Sequence, residues 1–355
     1  MDNATSSQER VAAARYRLPA EWEHQRGVLL TWPHSATDWR PYLGEIEALM
    51  VRLVAEIVRH ESVVVAAQEP AAVTERLSSE LGTALLHRVK IYPCRIDDTW
   101  ARDHSVVTML PVGGDGAPLL LDFRFNGWGG KYPSEHDDAI NATLWRQGAL
   151  VGALCDCRDF VLEGGSIESD GKGTVLTTSA CLLAKGRNRP LTRAEIERQL
   201  KRRLCADRVL WLDHGAIEGD DTDGHIDTLA RFAPGDTILY SAARADDDDA
   251  QAHALRLMEQ ELRSLRTADG GRYKLVALPV PAPVTYDGER LPATYTNYLV
   301  VNGAVLVPTY GDMAADRYAL ATIGAAFPDR ETVAIDARVA LRQHGSLHCL
   351  TMQMY

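Results

Sequence analysis

The stretch HGSLHCLTMQMY (residues 344–355) raises the first question, because it places Cys349 six residues from the end of the sequence. Chain ends usually fray, and a reactive thiol on a frayed tail is a liability. Two readings are open. Either Cys349 sits on the last strand of a packed core, or the tail is held because the thiol does chemistry.

The composition narrows the field. The sequence has 355 residues, 46% hydrophobic and 25% charged, enough for one large domain or two ordinary ones. No apolar run approaches the roughly 18–20 residues of a membrane span. The opening MDNATSSQERVAAARYRLPAEW lacks the apolar segment of a signal peptide, so a soluble cytoplasmic protein is expected. A formal net charge of −11 argues against nucleic acid or an anionic membrane as partner and suits a cationic ligand. The sequence leaves a homo-oligomer open. Six cysteines in a chain this long do not make a disulfide framework. Cys155-Asp156-Cys157 is too tight for zinc spacing, no CxxC occurs, and Cys94, Cys181 and Cys205 read as small core residues.

Apolar β-branched runs recur along the chain: GVLLTW, SVVVAA, PLLLDFRF, TVLTTS, RVLWL, DTILYS, YLVVNGAVLVPTY and ETVAID. Helical patterns lie between them. Leu43, Ile46, Leu49, Met50, Leu53, Val54 and Ile57 share one helical face, and Thr192 with Glu195 predicts a capping box opening a helix that ends near Leu204. The acidic run Asp246–Asp249 reads as the start of a helix over Ala250–Leu265, where carboxylates favour the positive end of the dipole. This strand–strand–helix–strand rhythm repeats roughly every sixty to seventy residues. No GxGxxG follows a strand and no GxxxxGK[ST] is present, which argues against nucleotide chemistry.

Four polar stretches adjoin strand-like runs: DDTWARD (97–103), LEGGS (162–166), GDDTDGHID (219–227) and GSLHC (345–349). Aligned on Gly224, the EF-hand template puts Gly219 at its first position and Ala230 at its twelfth, so it fails. His225 and Asp227 alternate and would share one face of a strand, an arrangement that serves a metal or an organic cation equally. Glu163 ends a buried-looking strand and needs a partner, and Asp103 precedes another apolar run. A thiol and an imidazole are the minimum for nucleophilic catalysis. Carboxylates in excess would repel a developing oxyanion but can clamp a guanidinium through its N–H fork. Charge matching therefore points to guanidine hydrolysis. The rivals are a metal-dependent hydrolase using His225, Asp227, Asp223 and His348, and a binding module without catalysis.

The same stretches, with LPAEWEHQRGVLLTWPH, FNGWGGKY, FVLEGGSIESDGKGTVLTTSACLL, GDDTDGHIDTLARF and NGAVLVPTYGD, resemble the agmatine deiminase family of the peptidylarginine-deiminase-like guanidine-modifying enzymes. The resemblance runs nearly the full chain. It implies a single α/β domain over residues 1–355, a five-bladed α/β propeller (pentein) of ββαβ repeats with residues 1–17 as a flexible extension. It also implies a site on the central axis, with Cys349 as nucleophile, His225 as acid and base, and Asp103 and Asp227 on the guanidinium. Glu163 would hold His225 protonated and oriented, and no metal or organic cofactor would be needed. Agmatine would give N-carbamoylputrescine and ammonia through a thiouronium adduct; arginine, another guanidine or peptidylarginine is the alternative substrate.

For the substrate tail, Asp220 and Asp221 are the candidate anions, and Trp100 and Trp128 the candidate walls. Arg124 and Arg231 are candidate clamps for a free arginine carboxylate, though both read as structural. The sequence departs from the family where His104 and Ser105 follow Asp103, where Gln343 and His344 replace glycines, and where TMQ stands for a TQQ-like stretch. His104 and His344 read as packed or solvated histidines.

Overall fold

A computed structural model describes residues 16–355 apart from residue 115. The β-branched runs form strands, and five sheets share one plan. An antiparallel pair is followed by a helix, and the chain then returns parallel to the second strand. Ile167–Ser169 and Thr174–Thr178 lead through helix Arg193–Arg203 to Arg208–Leu212. Ala230–Ala233 and Thr237–Ala242 lead through helix Ala250–Ser264 to Lys274–Pro279. Leu299–Val301 and Ala304–Thr309 lead through helix Met313–Ala326 to Glu331–Asp336. Val107–Pro111 and Leu119–Arg124 lead through helix Ile140–Arg146 to Ala153–Val161.

The fifth sheet joins the two ends of the described chain. Thr351–Met354 lies antiparallel to Gly27–Thr31, which passes through helix Leu43–Ile57 to the parallel strand Ser62–Ala67; Val89–Pro93 extends the sheet. The tail is thus a largely buried edge strand of this sheet. Leu347 and Leu350 are fully buried and Met352 nearly so, each worth about 1.5–3 kcal/mol over exposure. The mixed α/β class follows from this pattern.

Local signals hold where they rest on short-range chemistry. Thr192 and Glu195 make the reciprocal capping box, and the Asp249 side chain accepts from the Ala252 amide at the start of its helix, which ends at Ser264. Three expectations need correction. Tyr16 and Arg17, assigned to a flexible extension, pair with Pro111 and Leu110; residues 1–15 lie outside the described part. His225 and Asp227 do not alternate on a strand: His225 caps a 3₁₀ turn over Ile226–Thr228, and the strand begins at Ala230. Cys349 precedes the last strand by two residues. Among the described residues, no helix is long and apolar enough to cross a membrane.

Candidate active site

Turns at strand ends carry the polar residues, where backbone geometry is free of the ladder and side chains can converge. Asp103 sits in the one-turn helix Ala101–His104, Glu163 just before the 3₁₀ turn Gly164–Ser166, and Asp227 within the turn after His225. The Arg102 amide donates to the Cys349 carbonyl at 3.2 Å, which ties the Asp103 turn to the thiol turn. All five residues expected to carry the chemistry are buried.

Gly165 lies where they meet. Its amide donates to Asp103 Oδ1 at 3.0 Å. A Cβ at this position would stand 2.6 Å from His225 Nδ1, 2.9 Å from Asp103 Oδ1 and 3.1 Å from Asp227 Oδ2. The second glycine of LEGGS therefore leaves a hollow lined by two carboxylates and an imidazole. Asp103 Oδ2 is fixed by Trp128 Nε1 at 2.9 Å, so Trp128 orients this carboxylate.

Asn297 anchors the thiol turn. Its Oδ1 accepts from the His348 amide at 3.1 Å, the Cys349 amide at 3.3 Å and Cys349 Sγ at 3.3 Å, while its Nδ2 donates to Asp227 Oδ2 at 3.3 Å. Sγ lies 4.0 Å from that same Asp227 oxygen. Asp227 Oδ2 also accepts from His348 Nδ1 at 2.7 Å. Asp227 Oδ1 and both ring nitrogens of His225 are buried with no hydrogen-bond partner. Asp103 Oδ1 is 3.6 Å from His225 Nδ1, beyond a hydrogen bond but within strong electrostatic reach.

The role expected of Glu163 is corrected. Its two oxygens accept from Arg187 Nε at 2.9 and 3.1 Å, and no hydrogen bond joins it to His225. The charges that raise His225 come from elsewhere. Burial pulls its pKa down, but Asp103 first, then Cys181 and Asp227, bring it well above the ordinary imidazole value. Cys349 is pushed well above the usual thiol by burial, then by Asp227 and Asp103. Burial likewise raises Asp103, with Asp227 and Glu163 adding to the rise and His225 opposing it. Asp227 stays below the usual carboxylate range: burial raises it, and His348, then His225 and Arg231, together more than offset that. The site is charged unevenly, with one carboxylate, Asp227, held ionised.

A narrow cleft reaches Cys349 between Trp100 and Trp128, with Asp98, Asp221, Tyr132 and His344 among its walls. Asp221 Oδ2 accepts from the Tyr132 hydroxyl at 2.9 Å, and burial raises its pKa. Burial pushes Asp98 up to about 6, and its Oδ1 accepts from Trp39 Nε1 at 3.1 Å. Asp220 does not face the cleft. Both its oxygens hold the turn, accepting from Thr222 Oγ1 at 2.6 Å and the Gly224 amide at 2.7 Å. His104 is a packed residue, its Nε2 3.1 Å from Thr31 Oγ1 and its pKa lowered to about 3 by burial. His344 contacts the Gly219 carbonyl through Nδ1 at 2.8 Å. Arg124 is exposed and Arg231 fully buried.

Two groups bring metal-ligating atoms close together among the described residues: Glu163, Cys181 and His225, and Glu21, Glu168 and His348. Each already holds a guanidinium, from Arg187 in the first and Arg231 in the second. The alternative set with Asp223 does not converge, because Asp223 turns to Arg187 at 2.6 Å and Lys131 at 2.9 Å. Sequence reasoning passed over Arg187, Asn297 and Glu21, and read Cys181 only as core.

The Porphyromonas-type peptidyl-arginine deiminase profile matches residues 17–354. The agmatine deiminase of Pseudomonas putida (strain F1) is 34% identical over 366 residues, covering 95% of each chain. The solved C. jejuni agmatine deiminase, a Cys-to-Ser variant with substrate bound, is 35% identical with a TM-score of 0.87, covering 96% of each chain. A Porphyromonas gingivalis structure described as a candidate arginine deiminase is 45% identical with a TM-score of 0.88, covering 96% of this chain and 98% of its own. A far more distant amidinotransferase from Microseira wollei, at 12% identity and a TM-score of 0.50, shares the fold alone. With its family profile spanning nearly every described residue, the chain belongs to the Porphyromonas-type peptidyl-arginine deiminase family.

Proposed function

We propose that this chain is an agmatine deiminase, hydrolysing agmatine to N-carbamoylputrescine and ammonia from a single five-bladed α/β propeller domain. One observation carries the reading: the buried carboxylates of Asp103 and Asp227 border the Gly165 hollow beside Cys349 and His225, and Asp227 Oδ1 has no donor from the protein. An unsatisfied buried acceptor costs about 1–3 kcal/mol, so this carboxylate pair suits a ligand rich in donors. A guanidinium offers N–H donors in the geometry two carboxylates accept.

Asp103 and Asp227 would hold the guanidinium nitrogens over Cys349. The entering cation cancels the negative field that raises the thiol, the thiol proton passes to solvent, and the thiolate adds to the central carbon. His225, carrying a proton, gives it to the departing nitrogen, and ammonia leaves a covalent thiouronium. Neutral His225 then takes a proton from water; the hydroxide adds to the same carbon, the C–S bond breaks to restore the thiolate, and the added oxygen gives up its remaining proton to solvent as the ureido product leaves. Glu163 would keep Arg187 and the His225 turn in place.

The tail argues for an amine. Asp98 and Asp221 line the cleft, and Trp100 and Trp128 flank it. Arg231, a candidate clamp for a carboxylate, is engaged by Glu168 and Glu21. Free arginine is the second reading, favoured by the name given to the P. gingivalis relative. The test is ammonia and ureido release from agmatine and from arginine by wild type and Cys349→Ala, with and without EDTA. Agmatine turnover that survives EDTA and vanishes in the variant is expected; turnover by Cys349→Ala would sink the mechanism.

A further inference from the structure

The Asp227 oxygen that borders the hollow, Oδ2, is also held by a second buried imidazole. His348 Nδ1 is 2.7 Å from Asp227 Oδ2, and its Nε2 is 2.8 Å from Glu21 Oε1. His348 and Asp227 are fully buried, and the Glu21 side chain is partly buried. Ionised carboxylates only accept, so both contacts are complete when both ring nitrogens carry protons. Glu21 is itself held by Arg102 Nη1 at 3.0 Å, by Gln353 Nε2 at 2.9 Å and by Arg231. Arg102 reaches the thiol turn as well, donating through Nε to the His348 carbonyl at 3.4 Å.

We propose that Glu21 and His348 form a positioning pair that fixes Asp227 through Oδ2, the oxygen that borders the hollow and the thiol, and so sets this carboxylate against the substrate guanidinium. Of the two oxygens of Asp227, one has donors from His348 and Asn297 and the other has none. A carboxylate so divided cannot rotate without breaking a charge-assisted hydrogen bond. The charged and titratable groups around Asp227 are His348, His225, Cys349, Asp103 and Arg231. Of these, His348 contributes most to keeping Asp227 ionised.

The inference deepens the proposed reaction and rests on it. Three variants test it in the intact chain. His348→Asn keeps an amide donor for Asp227 without the charge, His348→Ala removes both, and Glu21→Gln removes the charge behind them from a residue that touches no substrate. His348→Ala should raise the KM for agmatine about tenfold or more, and His348→Asn by less. In all three the acid limb of kcat/KM should move to higher pH, because Asp227 loses what holds it ionised. A fall in kcat with wild-type KM and an unmoved acid limb would mark the pair as scaffold only and overturn the proposal. Should wild type turn over neither agmatine nor arginine, the proposed reaction fails. The pair is then judged on the pH dependence of Cys349 alkylation by chloroacetamidine, an amidinium electrophile. An acid limb there that the variants leave in place overturns it, and an upward shift supports it.

Discussion

Arg187 Nε lies 2.9 and 3.1 Å from the two oxygens of Glu163, and neither side chain reaches solvent. The same guanidinium donates to Asp223 at 2.6 Å and to the Thr222 carbonyl at 2.7 Å. One side chain therefore joins the LEGGS turn to the turn that presents His225. Removing one partner of a buried pair strands the other, at a cost of about 3–5 kcal/mol. Arg187→Ala should lose that much in urea unfolding, and Arg187→Lys should recover only part of it, since an ammonium lacks the planar fork. A loss under about 1 kcal/mol for Arg187→Ala would mean the pair is not a strut.

Gly165→Ala tests the hollow directly. The added methyl would stand 2.6 Å from His225 Nδ1 and 2.9 Å from Asp103 Oδ1, inside the space assigned to the guanidinium. Displacement on this scale costs on the order of 10²-fold in rate. Folding should suffer less, about 1–3 kcal/mol for overpacking. The measurement is kcat/KM beside the thermal midpoint. A variant with near wild-type kcat/KM would place the substrate elsewhere.

What the sequence made legible follows from range. The capping box at Thr192 and the Asp249 cap need only neighbours three residues away, and both were readable. The β-branched runs marked the strands, and residue chemistry marked Cys349, His225, Asp103, Asp227 and Glu163 as the polar set. The partners of that set were not readable. Arg187 meets Glu163 from 24 residues away, Asn297 meets Cys349 from 52, and Glu21 meets His348 from 327. Nothing local distinguishes such an arginine from a surface one. Asp220 and Asp221 show the same limit: adjacent in sequence, one ties a turn and the other faces the cleft.

The free thiol should be unreactive near neutrality. Burial, then Asp227 and Asp103, raise Cys349 well above the ordinary cysteine value of about 8.5. A raised pKa means less thiolate at any given pH, so alkylation by the neutral reagent iodoacetamide should keep climbing beyond pH 9. Asp227→Asn removes a negative neighbour and should move that curve to lower pH, even as agmatine turnover falls. Rates and pH are read on the same protein, with the adduct located by peptide mass. A wild-type curve that levels off below pH 7 would contradict the stated cause.

Asp221 bears on which guanidine is preferred. It lines the cleft that reaches Cys349, with one oxygen on the Tyr132 hydroxyl at 2.9 Å. If it receives the terminal ammonium of agmatine, Asp221→Asn should raise KM about tenfold, equivalent to roughly 1.4 kcal/mol, with kcat little changed. The control is n-butylguanidine, which keeps the guanidinium and the four-carbon chain but lacks the amine. Its KM should be the same in variant and wild type, because no charge is left for Asp221 to meet. An equal loss with both compounds would mean that Asp221 shapes the cleft without reading the tail. The amine would then have to be met by Asp98, the other carboxylate in the cleft, where Asp98→Asn would show the agmatine-only defect instead.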